Sequence, residues 1–115
     1  MAFTELLSLF TRAVEDADVD AFLELFHGDA TYGDVFDDVF TGHAQIRKMF
    51  EVNFHGRARD FRWEKREPVF DGTIGYTHLT LSYPSTMKHD SGKRVVLSGC
   101  SQFQLRDEKI ASYRE

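Results

Sequence analysis

A chain of 115 residues with a formal net charge of −5 is one domain, long enough to bury a core without disulfides or metal. The acidic balance argues against a general nucleic-acid surface, and the single cysteine excludes an internal disulfide and any Cys-rich zinc site. No apolar run approaches the ~20 residues of a membrane span, and the first basic residue, Arg12, comes too late for a signal peptide, so a cytoplasmic protein is expected.

Phe3, Leu6, Leu7, Phe10, Val14 and Ala17 recur at helical spacing, with Glu5, Arg12, Glu15 and Asp16 opposite. This predicts a first amphipathic helix capped by Thr4. Asp18 caps a second, short helix whose stripe is Ala21, Phe22, Leu25 and Phe26, with Gly28 as its stop. Residues 29–34 then alternate as a short strand, placing Ala30, Tyr32 and Asp34 on one face. A loop over 35–40 follows. Thr41-Gly42 opens a third helix on which Ile46, Phe50 and Phe54 fall at i, i+4 and i+8, ended by Gly56.

The rest reads as β. Strands over 61–70 and 73–83 are joined at Asp71-Gly72, a strong hairpin signal, and Pro84 stops the second. A polar loop leads into a strand over 94–105, and residues 106–108 turn the chain into a last strand over 109–115. That is a meander of four antiparallel strands. The basic run Arg57, Arg59, Arg62, Lys65 and Arg66 is broken by Glu64 and Glu67 and reads as a solvated strand face. Cys100, inside an apolar strand, reads as a buried, inert thiol. Three helices against a strongly curved sheet make an α+β layer fold with a conical cavity closed at one end. Eleven Phe, four Tyr and one Trp supply rings for either a plain core or an apolar ligand pocket.

The run from Asp18 to Tyr32 resembles the opening of SnoaL-like proteins, within the nuclear-transport-factor-2-like superfamily. Thr41-Gly42-His43-Ala44-Gln45-Ile46 resembles that family's third helix start, and Lys109 to Glu115 its last strand. The resemblance spans essentially all of residues 1–115 as a single domain. It implies a conical barrel, with three helices from the N-terminal half on the concave face of a curved, mainly antiparallel sheet. It also implies a homodimer through the outer face of the sheet, a role that an apolar strand face such as Leu79, Leu81 and Tyr83 would suit. The family spans cyclases, isomerases, epoxide hydrolases, dehydratases, binding proteins and oligomerisation modules, so fold alone does not name an activity.

By position, Asp34 matches the general base of ketosteroid isomerases in that superfamily. A carboxylate in an apolar pocket has a raised pKa suited to moving protons; the alternative is an exposed strand-end Asp that caps the following loop. The two oxyanion donors of those isomerases fall on Phe10 and Ser101 here. Losing one such donor typically costs ~10²–10³ in rate, which makes steroid-type isomerisation improbable. His78 is a second catalytic candidate. Simple alternation puts Leu79 and Leu81 inside and His78 in water, whereas the family register turns His78 into the pocket; both readings stay open. The expected pocket lining is Phe10, Val14, Tyr32, Phe36, Phe50, Phe54, Trp63, Ser101, Phe103 and Tyr113, with Tyr32 either a hydroxyl donor or a core residue. Phe36 and Phe40 are expected to cover the pocket as a lid or to fill it. His27, His43, His55 and His89 read as surface residues, and the terminal Glu115 as frayed. Asp34, Asp37 and Asp38 lack a nearby His or an ion-loop spacing, so no metal is expected. With no phosphate-binding Gly motif, no cofactor is expected either. The expectation is a pocket protein of isomerase, cyclase or hydratase type. In it Asp34 moves a proton on a small apolar ring-containing or polyketide-like molecule. The alternative is a non-catalytic ligand-binding or oligomerisation domain.

Overall fold

A computed structural model describes residues 2–33, 38–56, 58–87 and 92–115. Helix α1 (Phe3–Glu15) and the short α2 (Val19–Glu24) come first. Strand β1 (Phe26–Gly33) and the two-residue β2 (Phe40–Thr41) lead to α3 (Gly42–Lys48). Helix α3 runs on without a break into a π-helical stretch, Met49–Phe54. Strands β3 (Arg62–Phe70), β4 (Ile74–Pro84), β5 (Arg94–Arg106) and β6 (Lys109–Arg114) complete the chain. The six strands lie in the order β2-β1-β6-β5-β4-β3. Strands β3 to β6 form the expected antiparallel meander, and β1 joins β6 in parallel. The three helices pack against this mixed sheet, an α+β fold.

The local signals act as their chemistry requires. Asp18 caps α2 by accepting the N–H of Ala21 at 3.1 Å. Asp71 accepts the N–H groups of Thr73 and Ile74 at 2.8 Å each, while Gly72 takes the positive φ of +102° that the β3–β4 turn demands. Two boundaries differ from the sequence reading. Ala2, not Thr4, occupies the N-cap of α1, and α2 stops four residues before Gly28, which lies inside β1. The strand claims Phe26 because the parallel pairing of Phe26 with Ile110 offers backbone partners that a further helical turn would forgo.

Side-chain alternation sorts the sheet into two faces. Thr77, Leu79 and Leu81 of β4 point to the core, whereas Tyr76 and His78 face solvent. Leu79 and Leu81 are therefore core residues and no part of an outer dimer face, and Tyr83 packs against the core. Cys100 pairs across strands with His78 on the outer face and is exposed, contrary to the expectation of a buried thiol. On β3, Trp63 and Lys65 stand opposite Leu81 and Leu79 and share their inward face. The basic run is thus not a uniformly solvated face. Beyond Arg66 the register slips, with Glu67 at φ +54°, and Thr77 Oγ1 donates to the Arg66 carbonyl at 2.7 Å. Strand β3 is the sheet edge, and Glu15 of α1 accepts its Trp63 N–H at 3.0 Å, covering an open edge donor.

Phe3 closes one end of the core. Its ring stacks on Phe70 at 4.9 Å and meets Phe103 edge-on at 5.4 Å. It lies flat over Gly75, where an added Cβ would fall 2.5 Å from the ring. Gly75→Ala is expected to destabilise the protein by about 1–3 kcal/mol, as other overpacked core positions do. Urea unfolding measures this, and a loss below about 0.5 kcal/mol would mean that the ring slides aside freely.

Candidate functional site

Rings from every layer meet on the concave side. Phe10 of α1 stacks on Tyr113 of β6 at 5.1 Å and meets Phe22, Trp63 and Phe103 edge-on at 5.1, 5.4 and 5.7 Å. Tyr113 also stacks on Tyr32 of β1 at 4.7 Å. Val14 is buried beside them, and Phe50 lies 4.7 Å from Phe22. Phe54 stacks on Phe61 at 4.2 Å and on Trp63 at 5.7 Å. The described residues of the expected lining therefore all lie on this side: Phe10, Val14, Tyr32, Phe50, Phe54, Trp63, Ser101, Phe103 and Tyr113. Asp34 and Phe36 lie outside the described residues. Phe40 is half-buried in β2, paired with Tyr32.

His78 does not belong to this group. Its ring is on the outer face, exposed, with Nδ1 3.4 Å from a carboxylate oxygen of Glu67. Alternation along β4 decides its direction, and the reading that turned it into the pocket is wrong. His55 departs from expectation in the other sense. It is half-buried against Phe50 at 4.6 Å and Phe61 at 5.1 Å, and burial lowers its pKa against an opposing hydrogen bond to the Val14 backbone.

The polar content of the interior centres on Lys65. Its Nζ lies 4.5 Å from the Trp63 ring, 4.7 Å from Phe10 and 5.5 Å from both Phe103 and Tyr113. Those ring faces hold the cation by their quadrupoles. Nζ is 3.5 Å from Ser101 Oγ, Ser101 Oγ is 3.0 Å from Tyr113 Oη, and Tyr113 Oη donates to Glu115 Oε2 at 2.8 Å. Ser101 is fully buried and Tyr113 nearly so. Glu115 is half-buried rather than frayed. The indole N–H of Trp63 is buried and has no acceptor among the described residues. An open groove of about 610 Å³ runs between α1 and β3, and Lys65 and Trp63 line it together with Leu7, Thr11, Arg12 and Glu15.

Burial among rings brings the pKa of Lys65 from its ordinary 10.5 down to about 7, and the Glu115 carboxylate opposes that fall. Burial pushes Tyr113 well above its ordinary 10, with Tyr32 and Glu115 adding to it, so Tyr113 stays protonated across the working range. The sequence places Lys65 on a solvated face, because Glu64 and Glu67 interrupt the basic run and a mixed charged run ordinarily marks solvent. The signal that finds it is strand period: Trp63 and Lys65 are two apart, so an inward Trp63 carries Lys65 inward.

The arrangement can therefore offer an oxygen-bearing ligand an ammonium in an apolar setting, where its field is strong. It can also hold or release a proton near neutral pH. The unfolded chain binds more protons at Lys65 than the folded one between about pH 7 and 10.5, so this residue makes stability rise with pH over that window. Among the described residues, the charged or titratable groups around it are Glu64, Tyr32 and Tyr113 on the sheet, Glu115 just beyond β6, and Arg12 and Glu15 on α1. Lys65→Met is expected to be more stable than the parent at pH 6, with the gain shrinking as pH rises through 7 towards 10. Thermal melts across that range test it, and a gain independent of pH would show that the amine is fully solvated.

The SnoaL-like domain family matches the chain over residues 7–113. No curated protein matches it. Among solved structures, a hypothetical protein from Catenulispora acidiphila with a ketosteroid isomerase-like fold, in complex with trimethylamine, superposes with a TM-score of 0.85 at 16% identity, over 98% of this chain and 85% of that one. TerC, co-crystallised with polyporic acid, gives 0.80 at 19% identity, over 96% and 87%. SalBIII, an epoxide hydrolase/cyclase-like enzyme with a role in pyran ring formation in the polyether salinomycin, gives 0.79 at 27% identity, over 96% and 86%.

Proposed function

The chain belongs to the SnoaL-like domain family, and on that premise we propose that it is a cofactor-independent enzyme of isomerase, cyclase or hydratase type. It acts on a small, largely apolar, ring-containing or polyketide-like compound with an enolisable carbonyl. The observation that carries this reading is the Lys65 amine, held among four rings and hydrogen-bonded to Ser101. Phe10 and Ser101 leave the interior short of strong oxyanion donors, and a half-buried cation supplies that role at higher strength than a neutral hydroxyl. The flat rings of Phe10 and Trp63 suit a flat, apolar ligand, and the Trp63 N–H adds a second donor for its oxygen.

Asp34, which directly follows the last residue of β1 in sequence, is the base of this proposal. It takes a proton from carbon next to the carbonyl while Lys65 holds the oxygen as negative charge develops there. His78 has no part in the chemistry, because it is on the outer face. The ligands in the Catenulispora and TerC structures, trimethylamine and polyporic acid, support a pocket for small organic molecules in this fold.

Two measurements test the reading. An ionisable phenol such as 4-nitrophenol mimics an enolate, and it is expected to bind as the phenolate at a pH below its value in water. Lys65→Met is expected to abolish that shift, and Asp34→Asn to leave binding equal or tighter. Exchange of α-protons of cyclic enones into D₂O, followed by NMR, is expected to fall ~10²–10⁴-fold in Asp34→Asn, the usual worth of a general base. Undiminished exchange in that variant, or phenol binding without any shift, overturns the proposal.

We further propose a homodimer through the outer face of the sheet. Support comes from Val69, Tyr76 and Val96, which are exposed there at 62, 42 and 60%. The exposed thiol of Cys100 suits a reducing compartment such as the cytoplasm. Val96→Glu is expected to convert the dimer to monomer in sedimentation velocity. A parent chain that is itself monomeric would remove this part of the reading.

A further inference from the structure

The hydrogen bonds beneath the Phe10 ring all run in one direction. Tyr113 has a single hydroxyl proton and gives it to Glu115 Oε2. Its oxygen therefore accepts from Ser101 Oγ, whose own oxygen accepts from Lys65 Nζ. An ammonium and a carboxylate are thus joined by two hydroxyls, each already aimed to pass a proton onward. If each hydroxyl hands its proton to the next oxygen, one proton moves from Lys65 to Glu115. The products are a neutral amine and a neutral acid, and the apolar walls around the amine favour its neutral form. The rings of Phe10, Trp63, Phe103 and Tyr113 build those walls at 4.5–5.5 Å from the amine. The groove between α1 and β3, which Lys65 lines, provides an approach for a carbonyl compound.

We propose that Lys65 is a nucleophile that forms an imine with a small apolar aldehyde or ketone, while Ser101 and Tyr113 relay its proton to and from Glu115. This rests on the interior being a ligand site, as argued under Proposed function, but not on Asp34. The steps balance. The relay first moves a proton from the Lys65 ammonium to the Glu115 carboxylate. The amine lone pair then forms a C–N bond to the carbonyl carbon. The carbonyl π pair moves to oxygen, and an N–H proton follows it to give a carbinolamine. Glu115 returns its proton through the relay to the hydroxyl, the C–O bond breaks, and water leaves. The products are an iminium on Lys65 and an ionised Glu115. The net change is ammonium plus carbonyl to iminium plus water, with no oxidant or reductant. An iminium is a stronger electron sink than a carbonyl, so an adjacent C–H becomes acidic. The substrate class narrows accordingly to carbonyl compounds unhindered enough to accept a C–N bond.

Reductive trapping tests this. The protein is treated with benzaldehyde or cyclohexanone and sodium cyanoborohydride at pH 7.5, and each lysine is followed by peptide mass spectrometry. Alkylation at Lys65 is expected to be at least about tenfold faster than at Lys48, Lys88, Lys93 and Lys109, as befits a desolvated lysine in an apolar pocket. Tyr113→Phe and Ser101→Ala, which break the relay but keep the amine, are expected to slow labelling at Lys65 and leave the other lysines unchanged. Labelling at Lys65 no faster than at the other four overturns the proposal. If 4-nitrophenol still binds as the phenolate in that case, Lys65 acts only as a fixed charge and the reading under Proposed function stands. If the phenolate shift is absent as well, both fail together. Fast labelling that neither relay variant slows overturns the assignment of Glu115 as the proton store.

Discussion

The ring of Phe10 touches rings from five other elements: Phe22 of α2, Phe26 of β1, Trp63 of β3, Phe103 of β5 and Tyr113 of β6. Among the ring contacts of the described residues, no other side chain joins as many elements. Because β3 is the sheet edge and β1 lies near the opposite edge, the ring spans the concave side almost from margin to margin. The helices and the strands of the sheet are tied to each other through it. The same packing decides the chemistry of the interior. A lysine one residue beyond Trp63's neighbour must direct its amine over the Phe10 ring, where water is replaced by ring faces.

Burying that amine carries an energetic cost, and the surroundings offset it in three ways. Ring faces interact with the cation. Ser101 accepts a hydrogen bond from it. Glu115 supplies opposite charge at the far end of two hydroxyls. None of these matches full hydration, so the proton on Lys65 is held loosely. Tyr113 shows the converse. Its hydroxyl has a carboxylate acceptor and is shut off from solvent, so ionisation is resisted and it remains a donor. A loosely held proton and a firmly held one therefore sit at neighbouring positions, an arrangement suited to directed proton movement.

The outer face of the sheet is chemically plainer. His78, Glu67 and Cys100 lie there in the open, beside exposed valines and a tyrosine. Packed rings and exposed polar groups thereby fall on opposite faces of one set of strands. The period of two makes that division inescapable: on β4, Leu79 serves the core and His78 the surface, although they are adjacent in sequence.

Much of this was legible from the residues. The helical stripe through Phe3, Phe10 and Val14, the cap at Asp18, the turn at Asp71-Gly72 and the four-strand meander are local features, and local spacing and turn chemistry suffice to read them. The aromatic rows also announced which faces are apolar. What local reading cannot supply is the partner across the sheet. Cys100 is exposed because it stands opposite His78, and Lys65 is turned inward and half-buried because it stands opposite Leu79. Gly28 belongs to a strand because β6, more than seventy residues onward, pairs with β1. Only the tertiary fold joins Lys65, Ser101, Tyr113 and Glu115, which come from three regions of the chain. The reason is physical. Periodicity and turn chemistry act through neighbours in sequence, whereas the pKa of an amine is set by whatever surrounds it in space.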